Sequence, residues 1–185
     1  MAEGIETRHS RACTSREHGG CNCKPSYQAQ VWSRRDKKVI KRTFPSLAAA
    51  KGWRSDASKD LRDGKLRAPT PETLREAGDA WLEGAKAGAI RTRSGDTYKP
   101  SALRGYEAAL TTRVYPELGA AKLSEIQRRD VQELADRLLA EGLDPSTIRN
   151  LLMPLRAIYR RALRRGVVAV SPMTGLELRA SRRAG

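Results

Sequence analysis

A proline–threonine–proline break, Pro69-Thr70-Pro71, constrains this chain more than any other feature. Two prolines so close favour extended backbone and a helix start just beyond them. The hydrophobic period changes across the break: alternation dominates before it, helical spacing after it. With 185 residues, 39% apolar and 5% aromatic, the composition argues against one large aromatic-rich core. It fits two modest cores built on Ala and Leu.

Before the break the chain reads as strands followed by a helix. Tyr27, Ala29 and Val31 alternate with Gln28, Gln30 and Trp32, which is the strand period. Arg34 to Lys38 is a polar turn, and Val39 to Phe44 alternates again. Pro45 stops that strand and Ser46 offers a helix cap. Leu47, Ala50, Trp53, Ala57 and Leu61 then share one helix face, ended by Gly64. A short strand at Ile5 to Arg8 completes a three-stranded sheet with one helix over it.

After the break every signal is helical. Thr73 and Glu76 have capping-box spacing ahead of Leu74, Ala77, Trp81, Leu82 and Ala85. Ser101 can cap a second helix with Leu103, Tyr106, Leu110 and Val114 inside, broken by Pro116 and Gly119. Val131, Leu134, Ala135, Leu138 and Leu139 form a third stripe, ended by Gly142. A fourth helix opens at Asp144-Pro145-Ser146 and runs to about Arg165, with Ile148, Leu151, Leu152, Leu155, Tyr159 and Ala162 buried. Pro154 removes a donor inside it, which predicts a kink. The expected fold class is α+β: a small sheet-plus-helix domain, then an all-α four-helix domain. The expected segments are a Cys/His stretch at 1–25, the sheet domain at 26–68, a linker at 69–73, the helical domain at 74–178 and a tail at 179–185.

Charge narrows the function. The chain carries 36 Lys+Arg against 21 Asp+Glu, a formal +15, so a polyanion is the expected partner. Residues 26–70 hold twelve basic and four acidic residues, the densest excess. Arg34, Arg35, Lys37, Lys38, Lys41 and Arg42 crowd one hairpin, with only Asp36 among them. A β-ribbon fits the major groove, Gln28 and Gln30 can bond adenine edges, and arginine can bond guanine. In the fourth helix Arg156, Arg160 and Arg164 recur at i, i+4 and i+8, and Arg161 and Arg165 form a second pair. Such repulsions cost roughly 0.2–0.5 kcal/mol per pair in an isolated helix. No acidic residue lies between Pro145 and Val170 to offset them. Phosphates would. Ser146, Thr147, Arg149 and Asn150 occupy that helix's first turns, where a groove or phosphate contact is expected.

The N-terminal stretch holds His9, Cys13, Cys21 and Cys23, with Gly19 and Gly20 permitting a tight turn and His18 as an alternative ligand. Three thiols and one imidazole would close a structural Zn²⁺ site. Cys-x-Cys departs from the usual Cys-x2-Cys knuckle, so the stretch reads equally as a basic tail with three free thiols. Catalysis has little to work with: both histidines lie in the first 25 residues, and no nucleophile has a local base. No stretch is apolar enough for a membrane span or a secretory signal, so a cytoplasmic, nucleoid-associated protein is expected.

The stretch from Leu123 to Leu176 resembles the core-binding domain of phage integrases of the tyrosine recombinase family, a SAM-like helical domain. The resemblance runs through Leu123-Ser-Glu-Ile126, Asp130-Val131, Gly142-Leu143, Ser146-Thr147-Ile148-Arg149-Asn150, Leu155, Tyr159 to Ala162, Gly166-Val167-Val168 and Ser171-Pro172. Ser101 to Leu110 is similar to the family's DNA-contacting second helix. Pro25 to Ala29, Thr43 to Pro45 and Ala50 to Trp53 are similar to the arm-binding domain of actinobacterial members. The resemblance implies double-stranded attachment-site DNA as partner, other integrase protomers on that DNA, and a role in DNA integration and recombination, as in a prophage. It implies core-site contacts at Lys99, Ser101, Arg104, Ser146, Thr147, Arg149 and Asn150; the charge argument adds Arg156, Arg160 and Arg164. Arm-site contacts are expected at Gln28, Gln30, Arg34, Lys38, Lys41 and Arg42. The family's His-x-x-Arg set does not occur, and Tyr159 sits in a core stripe, so this chain is expected to bind rather than cut. The alternatives are a stand-alone excisionase-like or repressor-like regulator, and a zinc-stabilised RNA-binding module.

Overall fold

The alternating stretches before Pro45 pair as an antiparallel sheet in a computed structural model that describes residues 4–14 and 20–178. Its strands are β1 (Ile5–Arg8), β2 (Ser26–Ser33) and β3 (Lys38–Phe44), in the order β1-β2-β3. Register follows the alternation: Ala29 lies opposite Ile5 and Arg42, Val31 opposite Ile40, and Trp32 opposite Val39. The fold class is α+β, as expected. The chain divides into two compact units, Met1–Ala68 and Pro69–Gly185.

In the first unit α1 (Leu47–Arg62) covers one sheet face. Ser46 accepts the Ala49 amide as its cap, and Gly64 takes a φ of +71° just past the end. Val31, Ile40 and Ala57 form the small core, flanked by Trp53, Leu61, Leu66 and Ala68. A polar latch closes the hairpin end. The Asp36 carboxylate accepts the Ser33 hydroxyl (2.7 Å), Arg67 Nε (2.7 Å) and the Ala68 amide (2.8 Å). Asp36 is thus committed to residues 31 and 32 positions away rather than to the hairpin cations around it.

The second unit contains the four expected helical stretches, two of them segmented at prolines. The first is α2 (Leu74–Lys86), with the Thr73–Glu76 capping box formed on both sides. The second begins as α3 (Pro100–Ala109), widens into a π-helical turn over Leu110–Val114, and ends as α4 (Tyr115–Leu118). Pro116 has no amide to donate, and the ladder shifts so that Tyr115 N–H reaches the Leu110 carbonyl. The third is α5 (Arg128–Ala140). The fourth is broken rather than kinked, into α6 (Pro145–Leu151) and α7 (Met153–Arg165). The restart places Pro154 in the first turn of α7, where a missing amide costs nothing, and buries its ring.

The second core is continuous across these helices. Leu74, Trp81, Leu110, Val114, Leu123, Val131, Ile148, Leu155 and Tyr159 are among its most deeply buried members. Trp81, Tyr98 and Tyr106 cluster with ring centroids 5.1–6.2 Å apart, so aromatics contribute more here than the composition suggests. Residues 70–73, expected as linker, are pinned to this unit. Leu123 donates its amide to Glu72, Leu74 to Ala121, and Thr70 to the Ser124 hydroxyl. No helix among the described residues is long and apolar enough to cross a membrane.

Candidate nucleic-acid interface and metal cluster

The β1–β2 connection brings four metal-ligating side chains together. β1 ends one residue before His9, and Cys23 lies three residues before β2. A turn between them sets the Cys13 amide on the Ser10 carbonyl at 3.1 Å. Thr14 staples the two limbs, its amide on Asn22 Oδ1 (3.1 Å) and its hydroxyl on the Gly20 carbonyl (2.9 Å). The ligand atoms of His9, Cys13, Cys21 and Cys23 all lie within 4.8 Å of one another. His18 and Gly19 fall outside the described residues.

The spacing of these atoms tests the fit to a metal. A tetrahedral Zn²⁺ with ordinary bond lengths separates two sulfurs by about 3.8 Å and a sulfur from a nitrogen by about 3.6 Å. Here Cys13 and Cys21 Sγ are 3.6 Å apart and Cys21 and Cys23 Sγ 3.5 Å. His9 Nδ1 stands 3.2, 3.6 and 3.6 Å from Cys21, Cys13 and Cys23 Sγ. The set fits a small tetrahedral cation. A backbone hydrogen bond at Cys23 pulls the Cys21 thiol down, but desolvation and its bonds to Cys23 and Cys13 outweigh it and the net shift is upward. A cation at the centre would reverse that balance, because it favours thiolates.

The sheet's solvent face is the one α1 leaves open. Gln28, Gln30 and Trp32 project from it on β2, with Thr43, Lys41 and Val39 directly opposite on β3. Of the expected arm contacts, Gln28, Gln30 and Lys41 therefore share one face. Lys38 and Arg42 have the opposite parity, with Ile40, and Arg42 stacks over the Phe44 ring. Arg34 lies in the exposed turn. Trp32 and Val39 were not anticipated as site residues, although their parity with Gln30 and Lys41 places them on this face.

The helical unit sorts its cations into two groups. Lys86, Arg113 and Arg137 are paired with Glu107, Glu141 and Glu117. Lys99, Arg104, Arg149, Arg156, Arg160 and Arg164 are exposed, and among the described residues none has a carboxylate within ion-pair distance. Ser101, Ser146, Thr147 and Asn150 are exposed as well. α3 and α6 both pack against α7. Burial, first, and Tyr98 push the Tyr106 hydroxyl upward, while Arg160 acts on it in the opposite sense. Arg156 and Arg160 border an open notch of about 420 Å³ with Ser171 and Thr174; Arg164 is not part of it. Tyr159 is core, as expected: it is fully buried, donates to the Leu123 carbonyl at 3.1 Å, and burial holds its hydroxyl far above the usual phenol range.

No protein-family model matches the chain, and no curated protein matches it. Two solved structures are similar to it. One is the integrase-like domain from Bacillus cereus, 19% identical, with a TM-score of 0.49 over 62% of this chain and 90% of that one. The other is the phage integrase SAM-like domain from Moorella thermoacetica, 23% identical, with a TM-score of 0.47 over 63% of this chain and 92% of that one.

Proposed function

We propose that this chain binds double-stranded attachment-type DNA as the non-catalytic portion of a phage integrase of the tyrosine recombinase family. The observation that carries the reading is the α7 stripe. Arg156, Arg160 and Arg164 are exposed and, among the described residues, have no carboxylate within ion-pair distance, on a helix whose opposite face is buried. Phosphates would supply the counter-charge. In this reading α3 and α6 supply the core-site contacts at Lys99, Ser101, Arg104, Ser146, Thr147, Arg149 and Asn150. The sheet face of Gln28, Gln30 and Lys41 reads arm-type DNA, and Arg34 in the adjoining turn holds a phosphate; Lys38 and Arg42, expected as arm contacts, lie on the other face and take no part in this reading. The buried Tyr159 takes no part in strand cleavage.

The cluster of His9, Cys13, Cys21 and Cys23 holds one Zn²⁺ in this reading. Four protein ligands leave no open coordination position, so its contribution is structural. It fixes the loop from which β1 and β2 diverge.

The test selects preferred duplexes from a random pool with the full chain, then measures affinity against salt. Arg160→Ala should flatten the logarithmic salt slope by about 0.9, the share of one phosphate contact. Arg149→Ala should relax base preference at one position, at about 1–3 kcal/mol. Equal loss on all sequences from both variants contradicts these roles. Preference for RNA over duplex DNA at fixed salt, or covalent trapping of the chain on a nicked site, overturns the reading.

A further inference from the structure

The sheet's open face carries an apolar pair that neither folding nor phosphate binding accounts for. Trp32 and Val39 face each other across β2 and β3, at 55% and 44% exposure. They stand at the hairpin end of the sheet, next to the exposed turn cations Arg34, Arg35 and Lys37. None of these three has a carboxylate within ion-pair distance among the described residues, because Asp36 is turned to Arg67 and Ala68. A partner on this face must therefore be anionic and yet offer something apolar.

We infer that Trp32 and Val39 read thymine through its C5-methyl group in the major groove; this rests on the duplex-DNA reading above. Along β2 the same face presents Gln28, Gln30 and then Trp32, each about 6.8 Å from the next. Two amides and an apolar surface match what that groove displays: donor and acceptor pairs on adenine, and the thymine methyl as its apolar feature. Lys41 lies beside Gln30 on the same face, within reach of a flanking phosphate. The opposite sheet face is closed by α1, so only this one can enter a groove. The methyl-sensitive position falls about one to two base pairs from the base that Gln30 contacts, given the strand repeat and the base-pair rise.

The experiment replaces thymine by uracil, one position at a time, in the duplex selected by the full chain. This removes a single methyl group and leaves every hydrogen-bonding edge intact. Affinity should fall about fourfold at one position or two adjacent ones, the effect of one methyl-sized group returned to water. In Trp32→Ala the thymine-to-uracil ratio at that position should collapse to about one, and Trp32→Phe should retain most of it. The readout is a ratio within one protein preparation, so partial misfolding of a variant cancels. Uniform insensitivity to methyl removal, with site selection intact, overturns this inference alone. An unchanged ratio in Trp32→Ala also overturns it. A chain with no duplex selectivity overturns the DNA reading and this inference together.

Discussion

On the proposed zinc reading, removing metal from the His9–Cys23 cluster should unfasten β1 before it disturbs any other element. The argument is one of loop closure. A metal joining His9 to Cys23 closes a loop of about 15 residues, and closing such a loop removes about 3 kcal/mol of chain entropy from the open state. β1 has little else to hold it. It is four residues long, pairs only with β2, and exposes Glu6, Thr7 and Arg8, with Ile5 half-buried. A change of about 3 kcal/mol is roughly a hundredfold in the opening equilibrium. Hydrogen exchange of the full chain, with and without a chelator, reads this directly. Amides of β1 should lose about two orders of magnitude of protection, β3 much less, and α5 none. Protein purified without chelator should carry about one Zn per chain. Equal β1 protection in both conditions, or metal-free protein with β1 fully protected, refutes the reasoning.

Two further outcomes follow from buried polar contacts. Asp36→Ala strips the acceptor from Arg67, the Ala68 amide and Ser33 and should destabilise the sheet unit by about 2–3 kcal/mol in urea unfolding. Burial raises the Asp36 pKa, but the Ala68 amide, Arg67 and Ser33 outweigh it and the net shift is downward. The latch is therefore fully present above the ordinary carboxylate value, near 4, and is lost as pH falls through the depressed one. Acid titration of Asp36→Ala should lack that step, and an identical acid profile would dismiss the latch. Tyr159→Phe should cost about 1 kcal/mol of helical-unit stability through the unpaired Leu123 carbonyl and leave DNA affinity unchanged. A large affinity loss would mean that Tyr159 does more than support the core.

What was legible in the sequence was what neighbours decide. Alternation fixed which face of β2 is buried, and Ser46, Thr73, Gly64 and Gly142 marked helix ends because caps and left-handed turns are local. The same parity rule, which already put Trp32 with Gln28 and Gln30, would have separated Lys41 from Lys38 and Arg42. What was not legible depends on distant partners. Asp36 looks like a counter-ion to its hairpin until Arg67 arrives from 31 residues away. Pro116 and Pro154 each announce a fault in a helix, but not its form. One is absorbed as a π-helical turn and the other as a restart, because the surrounding core decides which geometry buries Val114 or Pro154.

The metal cluster and the arginine stripe differ in how folding bears on them. With the proposed zinc bound, metal ligation and folding of the loop would be one equilibrium, since the ligand set hardly exists in an open chain. The stripe gains nothing from folding. Its i, i+4 repulsions cost roughly 0.2–0.5 kcal/mol per pair, whereas each large side chain buried on the other face of α7 returns roughly 1.5–3 kcal/mol. Leu155, Ile158 and Tyr159 therefore hold the helix in place whatever its outer face carries. Elsewhere in this unit Lys86, Arg113 and Arg137 show that acids can be placed against surface cations. On the outer face of α7 none of the described acidic residues is placed within ion-pair distance of Arg156, Arg160 or Arg164. Neutralising Arg156, Arg160 and Arg164 should consequently raise the stability of the unbound chain slightly while it lowers affinity for duplex DNA. The affinity loss separates a binding surface from a merely solvated one, in which neutralisation would relieve the same repulsion and leave DNA affinity unchanged.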